Sequence, residues 1–285
     1  MSDHIILVTG ATGHQGGAVA HELLQNGYKV KAMTRKPDSV PAKELKELGA
    51  DVVYGDLNDA DSLRKVLKGV WGVFAVQNSW EAGVEVEEEQ GKRLAELAKE
   101  VGVHHYVYTS VQSANRKTGI PHFDNKYRIE DRIKSLGFPS YTIIRPVFFM
   151  ENFVMSFKSG LDYGKLTVTL SPETKLQMIA VADIGKVGLL AFAQHEKYNG
   201  AAIDIAGDEL SMPETAAIIS KYSGKQIVFE PTPIEQVRQY SNDFAIMLEW
   251  FDKVGYNVDI EGTSKSTGVR FTGLDEWASG TNWAS

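Results

Sequence analysis

Cysteine is absent from the 285-residue sequence. This absence excludes disulfide bonds, thiolate nucleophiles and cysteine-ligated metal or iron–sulfur centres. The seven histidines show neither HxH nor HExxH spacing, so we expect no metal site. No apolar run approaches the length that crosses a bilayer, and the apolar amino end has no preceding basic segment or small-residue cleavage site. We therefore expect a cytoplasmic protein that does not bind membranes.

Basic residues are in the minority, since 30 Lys and Arg stand against 37 Asp and Glu, a net charge of −7. Contacts to phosphates dominate the affinity of proteins for DNA, and no basic stripe is visible, so we expect no direct binding of nucleic acid. Much of the surplus acid lies in VEVEEEQ at 84–90. Apolar residues at helical spacing follow this run, which predicts the solvated first turns of a helix.

Apolar segments of strand length alternate with helical patterns over the first half of the chain. Five helical stretches lie between the segments, and each runs into a glycine, as helix ends commonly do. This alternation predicts a parallel sheet covered by helices on both faces, an α/β doubly wound fold of the Rossmann type. The six predicted strands are 4–9, 28–33, 51–54, 71–76, 104–110 and 141–146.

The regular alternation of strand and helix patterns ends after Pro146. We expect a first domain at 1–150 that binds a nucleotide and a smaller, partly interleaved α+β domain at 151–285 that covers the carboxyl edge of the sheet. The pattern predicts short strands, a helix, a strand that could rejoin the main sheet, and two last helices around a short strand. The strands and the first helix of this series are expected at 165–170, 175–181, 181–193, 201–207 and 227–233.

The stretch LVTGATGHQGG at 7–17 places three glycines between the first strand and the first helix. Gly10 suits a tight turn, Gly13 lets the backbone approach a diphosphate, and Gly16 lets the helix pack closely. The helix then offers its free N–H groups to an anion. The spacing GxxGxxG departs from the commoner GxGxxG, and a purely structural turn is the alternative. We predict a dinucleotide loop that also includes Thr12, His14 and Gln15.

The end of the second strand indicates which dinucleotide binds. Thr34, Arg35 and Lys36 lie where NAD-binding proteins carry an acidic residue. A guanidinium can bind a 2′-phosphate with two hydrogen bonds, whereas a carboxylate would repel it. We predict NADP(H), with a surface Arg-Lys pair as the alternative. Asp56, after the third strand, either accepts a hydrogen bond from the adenine amino group or caps the helix expected near Asn58.

These motifs, together with others along nearly the whole chain, resemble the NmrA-like family of atypical short-chain dehydrogenases/reductases. The resemblance rests on TGATGHQGG, TRKP, Gly55-Asp56, YTSV at 108–111, HFDNK at 122–126 and RPVFFMENF at 145–153. It implies NADP(H) bound across the loops after the strands, and a substrate cleft between two domains. The further cofactor-binding residues that it implies are Leu57, Val76, Gln77, Lys126, Pro146, Phe149, Asn152 and Phe153.

The HFDNK stretch lacks the usual acid. Ordinary short-chain reductases use a Tyr four residues before a Lys, but none of the eleven tyrosines here is followed by Lys at that spacing, and His122 takes the Tyr position. Lys126 then keeps only its role of binding the nicotinamide ribose. His122 either donates a proton, which the ordinary pKa of histidine suits, or shapes the cofactor site. Ser110 either binds a substrate carbonyl or caps the turn after the fifth strand.

The aromatic residues Phe148, Phe149 and Phe153 either wall a pocket for flat substrates or form plain core. By family analogy, Glu151 and Asn152 lie at the mouth of that pocket. Two functions stay open. The first is an NADPH-dependent reductase of small conjugated acceptors such as quinones. The second is a non-catalytic NADP(H)-binding redox sensor that acts through a regulatory protein partner or a homodimer.

Overall fold

The computed structural model describes residues 4–283. Along the chain its strands are β1 (Ile5–Val8), β2 (Lys29–Thr34), β3 (Asp51–Tyr54), β4 (Gly72–Ala75), β5 (His105–Thr109), β6 (Ser140–Pro146), β7 (Phe148–Phe149), β8 (Lys165–Leu166), β9 (Lys175–Ile179), β10 (Ala202–Ile205), β11 (Asp208–Ser211) and β12 (Val228–Phe229). Its helices are α1 (His14–Gln25), α2 (Val40–Glu47), α3 (Ala60–Leu67), α4 (Ser79–Ala82), α5 (Val84–Glu100), α6 (Pro121–Ser135), α7 (Asn152–Met155), α8 (Lys158–Asp162), α9 (Val181–Ala193), α10 (Met212–Ser223), α11 (Ile234–Tyr240), α12 (Asn242–Lys253), α13 (Ile260–Thr267) and α14 (Leu274–Gly280).

Seven strands form one parallel sheet in the order β10-β6-β5-β4-β1-β2-β3. Strand β1 lies between β2 and β4 and pairs in parallel with both. The chain therefore winds outward from β1 in two directions, and the loops at the carboxyl ends of β1 and β4 diverge to leave a crevice. The predicted α/β doubly wound fold is confirmed, and all six strands predicted in the first half belong to this sheet.

The sheet separates two apolar cores because successive side chains of a strand point to opposite faces. In β1, Ile6 and Val8 pack with side chains of α1 and α9 on one face. Leu7 lies on the other face with Leu63 of α3 and Leu94 of α5. All five side chains are fully buried, and burial of each contributes about 1.5–3 kcal/mol to stability. The crevice at the carboxyl ends of β1 and β4 therefore lies at the edge of a sheet that is packed on both faces.

Residues after Pro146, joined by Ile120 and Phe123, build a third core around a three-stranded sheet (β11-β9-β7) and a two-stranded one (β12-β8). The chain does not stay in this region. Helix α9 packs against α1, and β10 pairs with β6 from Ala202 opposite Ile143. The predicted return of a strand at 201–207 to the main sheet is confirmed. The boundary at 150 stays a prediction, because the chain crosses between the two parts more than once.

Two expectations for this region are wrong. The strand expected at 165–170 is limited to the two residues of β8, and five helices, α10 to α14, follow residue 207 within the described chain where two were expected. Helix α11 has no buried residue and α13 only Thr267, and their 7 and 8 residues are fewer than the window of about 11–18 residues over which apolar periodicity identifies a helix. Between residues 4 and 283, no helix combines the length and apolarity needed to span a membrane.

Candidate functional site

A cleft of about 1220 Å³ lies at the carboxyl ends of the parallel strands and extends to α12 in the carboxyl-terminal part. Ordinary ligand pockets measure about 300–1,000 Å³, so this cleft is large enough for an extended dinucleotide with space beside it. Every predicted site residue except Glu151 and Phe153 lines it. These residues are Gly10, Thr12, Gly13, His14, Gln15, Gly16, Arg35, Lys36, Asp56, Leu57, Val76, Gln77, Ser110, His122, Lys126, Pro146, Phe149 and Asn152.

The glycines after β1 are required by space as well as by backbone angle. Gly10 has φ +56°, and a Cβ there would lie 2.8 Å from Val76 Cγ1. A Cβ on Gly16 would lie 2.3 Å from the carbonyl oxygen of Gly10, so α1 can begin this close to the turn only with glycine. Gly13 is the N-cap of α1 and offers no side-chain cap. The first N–H groups of α1 are therefore left for an anion in the cleft.

Two side chains of this loop tie it to neighbouring strands. Gln15 Oε1 accepts a hydrogen bond of 2.7 Å from the hydroxyl of Thr109, the last residue of β5. The hydroxyls of Thr12 and Thr34 lie 3.4 Å apart, which joins the loop to the end of β2. The loop is thus tied to strands on both sides of β1.

Gln77 and Ser110 are buried polar residues that line the cleft without a protein partner. The amide nitrogen and oxygen of Gln77 and the hydroxyl of Ser110 have no hydrogen-bond partner within residues 4–283. The two residues are nevertheless only 5% and 4% exposed. An unsatisfied buried polar group costs about 1–3 kcal/mol. A bound ligand that pairs with them would recover this energy. Of the two predicted roles of Ser110, capping the next turn is not observed.

Arg35 is already engaged by a carboxylate. Its guanidinium donates a hydrogen bond to Glu81 of α4, with 2.5 Å between Nη2 and Oε1, and both side chains are more than half exposed. That hydrogen bond is the main cause that raises the pKa of Arg35, and the negative charge of Asp56 adds to it. Arg35, the residue predicted to bind the 2′-phosphate, is therefore influenced by two acidic side chains, those of Glu81 and Asp56. No pattern in the sequence indicated Glu81.

Asp56 does not cap helix α3. Its Oδ1 accepts a 2.9 Å hydrogen bond from the backbone N–H of Asn58 and closes a short turn. The helix begins two residues later than expected, at Ala60, and Asp59 caps it by accepting from the backbone N–H groups of its first turn. Of the two roles weighed for Asp56, capping is wrong, and its carboxylate lines the cleft.

Lys126 forms a buried ion pair. Its Nζ lies 2.6 Å from Glu87 Oε1, and the side chains of the two residues are 13% and 0% exposed. The same carboxylate accepts a 2.9 Å hydrogen bond from Asn125 Nδ2. The acidic run at 84–90 was expected to form the solvated first turns of a helix. Glu87 departs from this expectation, because α5 turns its carboxylate towards α6 and Lys126.

His122 is enclosed by three elements of the chain. Asp243 of α12 accepts a 3.1 Å hydrogen bond from the backbone N–H of His122. The ring Nδ1 also touches Oδ2 of that carboxylate, without the alignment of a hydrogen bond. The rings of Trp80 in α4 and of Phe123 lie 5.1 and 4.8 Å from the imidazole. The imidazole is therefore held at the junction of α4, α6 and α12.

The segment after β6 divides between the cleft and the core. Phe148, Phe149 and Asn152 line the cleft. Phe153 does not, which corrects its predicted assignment, because α7 begins at Asn152 and turns the fully buried ring of Phe153 towards Phe148, 5.8 Å away between ring centres. The aromatic residues thus include both pocket wall and core.

Glu151 has a structural role away from the expected pocket mouth. It accepts hydrogen bonds from the backbone N–H of Val181, at the start of α9, and from the indole N–H of Trp277. Burial raises the pKa of this carboxyl, while these hydrogen bonds act in the opposite direction. Glu151 therefore joins the end of β7 to α9 and α14.

Several lining residues were missed by the sequence analysis. Those after β4 follow from the rule that ligands bind at the carboxyl ends of parallel strands, and could have been found by extending the prediction past Gln77. Those of α12 carry no local signal. The missed residues include Asn78, Trp80, Glu81, Glu87, Gln90, Met155, Phe157, Phe244, Met247 and Tyr256. Within the part of the chain that the structure describes, no three His, Asp or Glu side chains are placed to hold a metal ion.

Comparison with known proteins assigns the family. The model of the NmrA-like family matches residues 2–278. An NmrA-like family domain-containing protein of Dictyostelium discoideum is 33% identical over 270 residues, which covers 88% of each chain. The NADPH-dependent quinone oxidoreductase QOR2 of Escherichia coli, solved with NADPH, has a TM-score of 0.79 at 25% identity, covering 96% of this chain and 98% of its own. NmrA, a negative transcriptional regulator solved with NADP, has a TM-score of 0.80 at 19% identity over 99% of both chains. The chain belongs to the NmrA-like family.

Proposed function

We propose that this protein is an NADPH-dependent reductase of small conjugated acceptors such as quinones, acting in the cytoplasm. The observation that carries the proposal is one continuous cleft. It joins an uncapped helix N-terminus, an arginine at the end of β2 and the two unsatisfied side chains of Gln77 and Ser110. These groups match the parts of an extended phosphorylated dinucleotide. The likeness to a quinone oxidoreductase crystallised with NADPH supports the same cofactor here.

The chain's own residues divide the binding of the cofactor between them. The N–H groups at the start of α1 would hold the diphosphate, Arg35 the 2′-phosphate, and Asp56 the adenine amino group. Lys126 would hydrogen-bond the nicotinamide ribose while it stays paired with Glu87. Gln77 would gain the hydrogen bonds that it lacks. When bound, the reduced nicotinamide supplies a hydride.

The acceptor would lie against the apolar wall of the cleft. Phe148, Phe149, Phe244 and Met247 line the cavity together, and flat conjugated molecules fit between such surfaces. The Ser110 hydroxyl is available to hydrogen-bond an acceptor oxygen. A conjugated acceptor spreads its charge over several atoms, so it needs less help from an acid than a simple ketone, and water or His122 can supply the proton.

The test is consumption of NADPH by the purified protein with a panel of quinones, followed by the near-ultraviolet absorbance of the reduced nicotinamide. We expect turnover with at least one quinone and a strong loss in Phe149→Ala, which opens the apolar wall. Tyr163→Phe is the matched control, since Tyr163 is 86% exposed and lies outside the cleft. A flat trace across the panel, with NADPH binding intact, would contradict the reductase.

The second candidate is a sensor that binds NADP(H) and changes its affinity for a regulatory protein partner or for a second copy. The replacement of the usual Tyr by His122 favours it, and so does the likeness to NmrA, a transcriptional regulator solved with NADP. The sensor predicts that the mass of the protein in solution, or its capture of a partner, changes between NADPH and NADP⁺ while NADPH is not consumed.

A further inference from the structure

Helix α4 lines the cleft, and its two central residues contact different elements of the chain. Glu81 holds Arg35 at the end of β2. Trp80 packs on His122 of α6 and on Phe244 of α12, with ring centres 5.1 and 5.8 Å apart. The turn is also fixed at its start, where the Asn78 side chain accepts a 3.1 Å hydrogen bond from the Trp80 N–H. The Glu81 carboxylate is therefore presented to Arg35 by an anchored turn.

The contact between Glu81 and Arg35 uses the group that a 2′-phosphate would need. A guanidinium binds carboxylates and phosphates through the same fork of N–H donors. The two side chains are 57% and 55% exposed, so burial does not hold the pair together, and exposed ion pairs are weak. A doubly charged phosphate that enters the cleft can replace the carboxylate.

We propose that Glu81 is an internal competitor for the 2′-phosphate site and thereby limits the preference for NADP(H) over NAD(H). The proposal rests on the proposed binding of NADP(H) to Arg35. Binding of a 2′-phosphate breaks the ion pair between Arg35 and Glu81 and places Glu81 near a group of its own charge. A dinucleotide without the 2′-phosphate leaves the pair in place. Glu81 therefore weakens the phosphorylated ligand selectively.

The test compares adenosine 2′,5′-bisphosphate with AMP, which lacks the 2′-phosphate, by calorimetric titration of the full chain. In Glu81→Gln we expect the bisphosphate to bind roughly two- to fivefold more tightly, the range of an exposed ion pair, and AMP to bind as before. In an Arg35→Ala background, the gain from Glu81→Gln should shrink. Glu85→Gln is the control, because it removes one exposed acidic charge outside the cleft and should change neither affinity.

Each other outcome overturns the proposal. Weaker binding of the bisphosphate to Glu81→Gln would mean that Glu81 positions Arg35, and an equal gain for AMP would mean that the effect does not pass through the 2′-phosphate. If Glu81→Gln leaves the preference for the bisphosphate unchanged while Arg35→Ala still abolishes it, Glu81 is not a competitor and the assignment of Arg35 stands. The proposed NADP(H) specificity fails separately, if the native protein binds both ligands equally and Arg35→Ala changes nothing. Neither ligand carries a nicotinamide, so reductase activity does not enter the test.

Discussion

The two ends of the cleft each hold a basic residue that a carboxylate already occupies, but they hold it differently. At the end of β2, Arg35 and Glu81 are both more than half exposed. On α6, Lys126 and Glu87 are nearly or fully buried. An exposed pair contributes about 0–1 kcal/mol and exchanges partners easily. Removing one member of a buried pair costs several kcal/mol, because the other charge is left without compensation.

This difference separates a ligand site from a structural clamp. At Arg35 the carboxylate competes with the ligand, so substitutions there should change binding and leave stability alone. At Lys126 the carboxylate holds the ammonium in place, so substitutions should change stability and binding together. Both residues are basic and lie near the end of a predicted element. Their substitutions are expected to differ in effect on stability because the partner carboxylate is exposed at Arg35 and buried at Lys126.

The largest effect is expected for Lys126→Ala. The substitution leaves Glu87, which is fully buried, with Asn125 as its remaining side-chain donor. We expect the free energy of unfolding to fall by about 3–5 kcal/mol, measured by urea denaturation, and cofactor binding to weaken as well. The double variant Lys126→Met with Glu87→Leu should recover much of the stability, because it removes both charges.

Lys265→Ala is the control for this experiment. Lys265 pairs with Glu261, and the two side chains are 74% and 80% exposed, so its loss should change stability by less than about 0.5 kcal/mol. Equal effects of Lys126→Ala and Lys265→Ala would contradict the structural role assigned to the buried pair.

Gly16→Ala should disturb both ends, because the loop after β1 lies between them. Its Cβ would meet the Gly10 carbonyl oxygen at 2.3 Å and backbone atoms cannot yield as a side chain does. We expect a loss of about 1–3 kcal/mol of stability from overpacking, and loss of binding of both AMP and NADPH in titrations. Gly280→Ala is the control, since a Cβ there meets nothing. Retained binding in Gly16→Ala would show that the loop tolerates displacement.

The fold and the floor of the cleft could be predicted because their signals are local. Strand and helix periods, and the glycines Gly10 and Gly16, are read within short windows. The partners of Lys126 and His122 could not be predicted, because they are distant in the sequence. Glu87 lies 39 residues from Lys126, and Asp243 lies 121 residues from His122. Phe153 was misassigned for a related reason: the direction of its ring depends on where α7 begins, which its own apolar neighbours do not specify.

Arg35→Ala sharpens the comparison from the exposed end. NADPH should bind more tightly than NADH to the native protein, and the substitution should narrow that gap by about 1–3 kcal/mol, the worth of a charged hydrogen bond. The free energy of unfolding should stay within about 0.5 kcal/mol of the native value. Titrations with both dinucleotides and urea denaturation measure the two quantities. Equal affinities for NADPH and NADH in the native protein would contradict the assignment of Arg35.

The smallest effect is expected from salt. Raising the ionic strength from about 0.01 M to about 1 M shortens the Debye length from about 30 Å to about 3 Å, which weakens the attraction of Arg35 for a 2′-phosphate. In the native protein it also weakens the competing contact with Glu81, so the two changes partly cancel. We expect the preference for NADPH over NADH to fall by less than about 1 kcal/mol in the native protein, and more steeply in Glu81→Gln. If the preference for NADPH over NADH depends equally on salt in the native protein and in Glu81→Gln, Glu81 does not compete with the 2′-phosphate for Arg35.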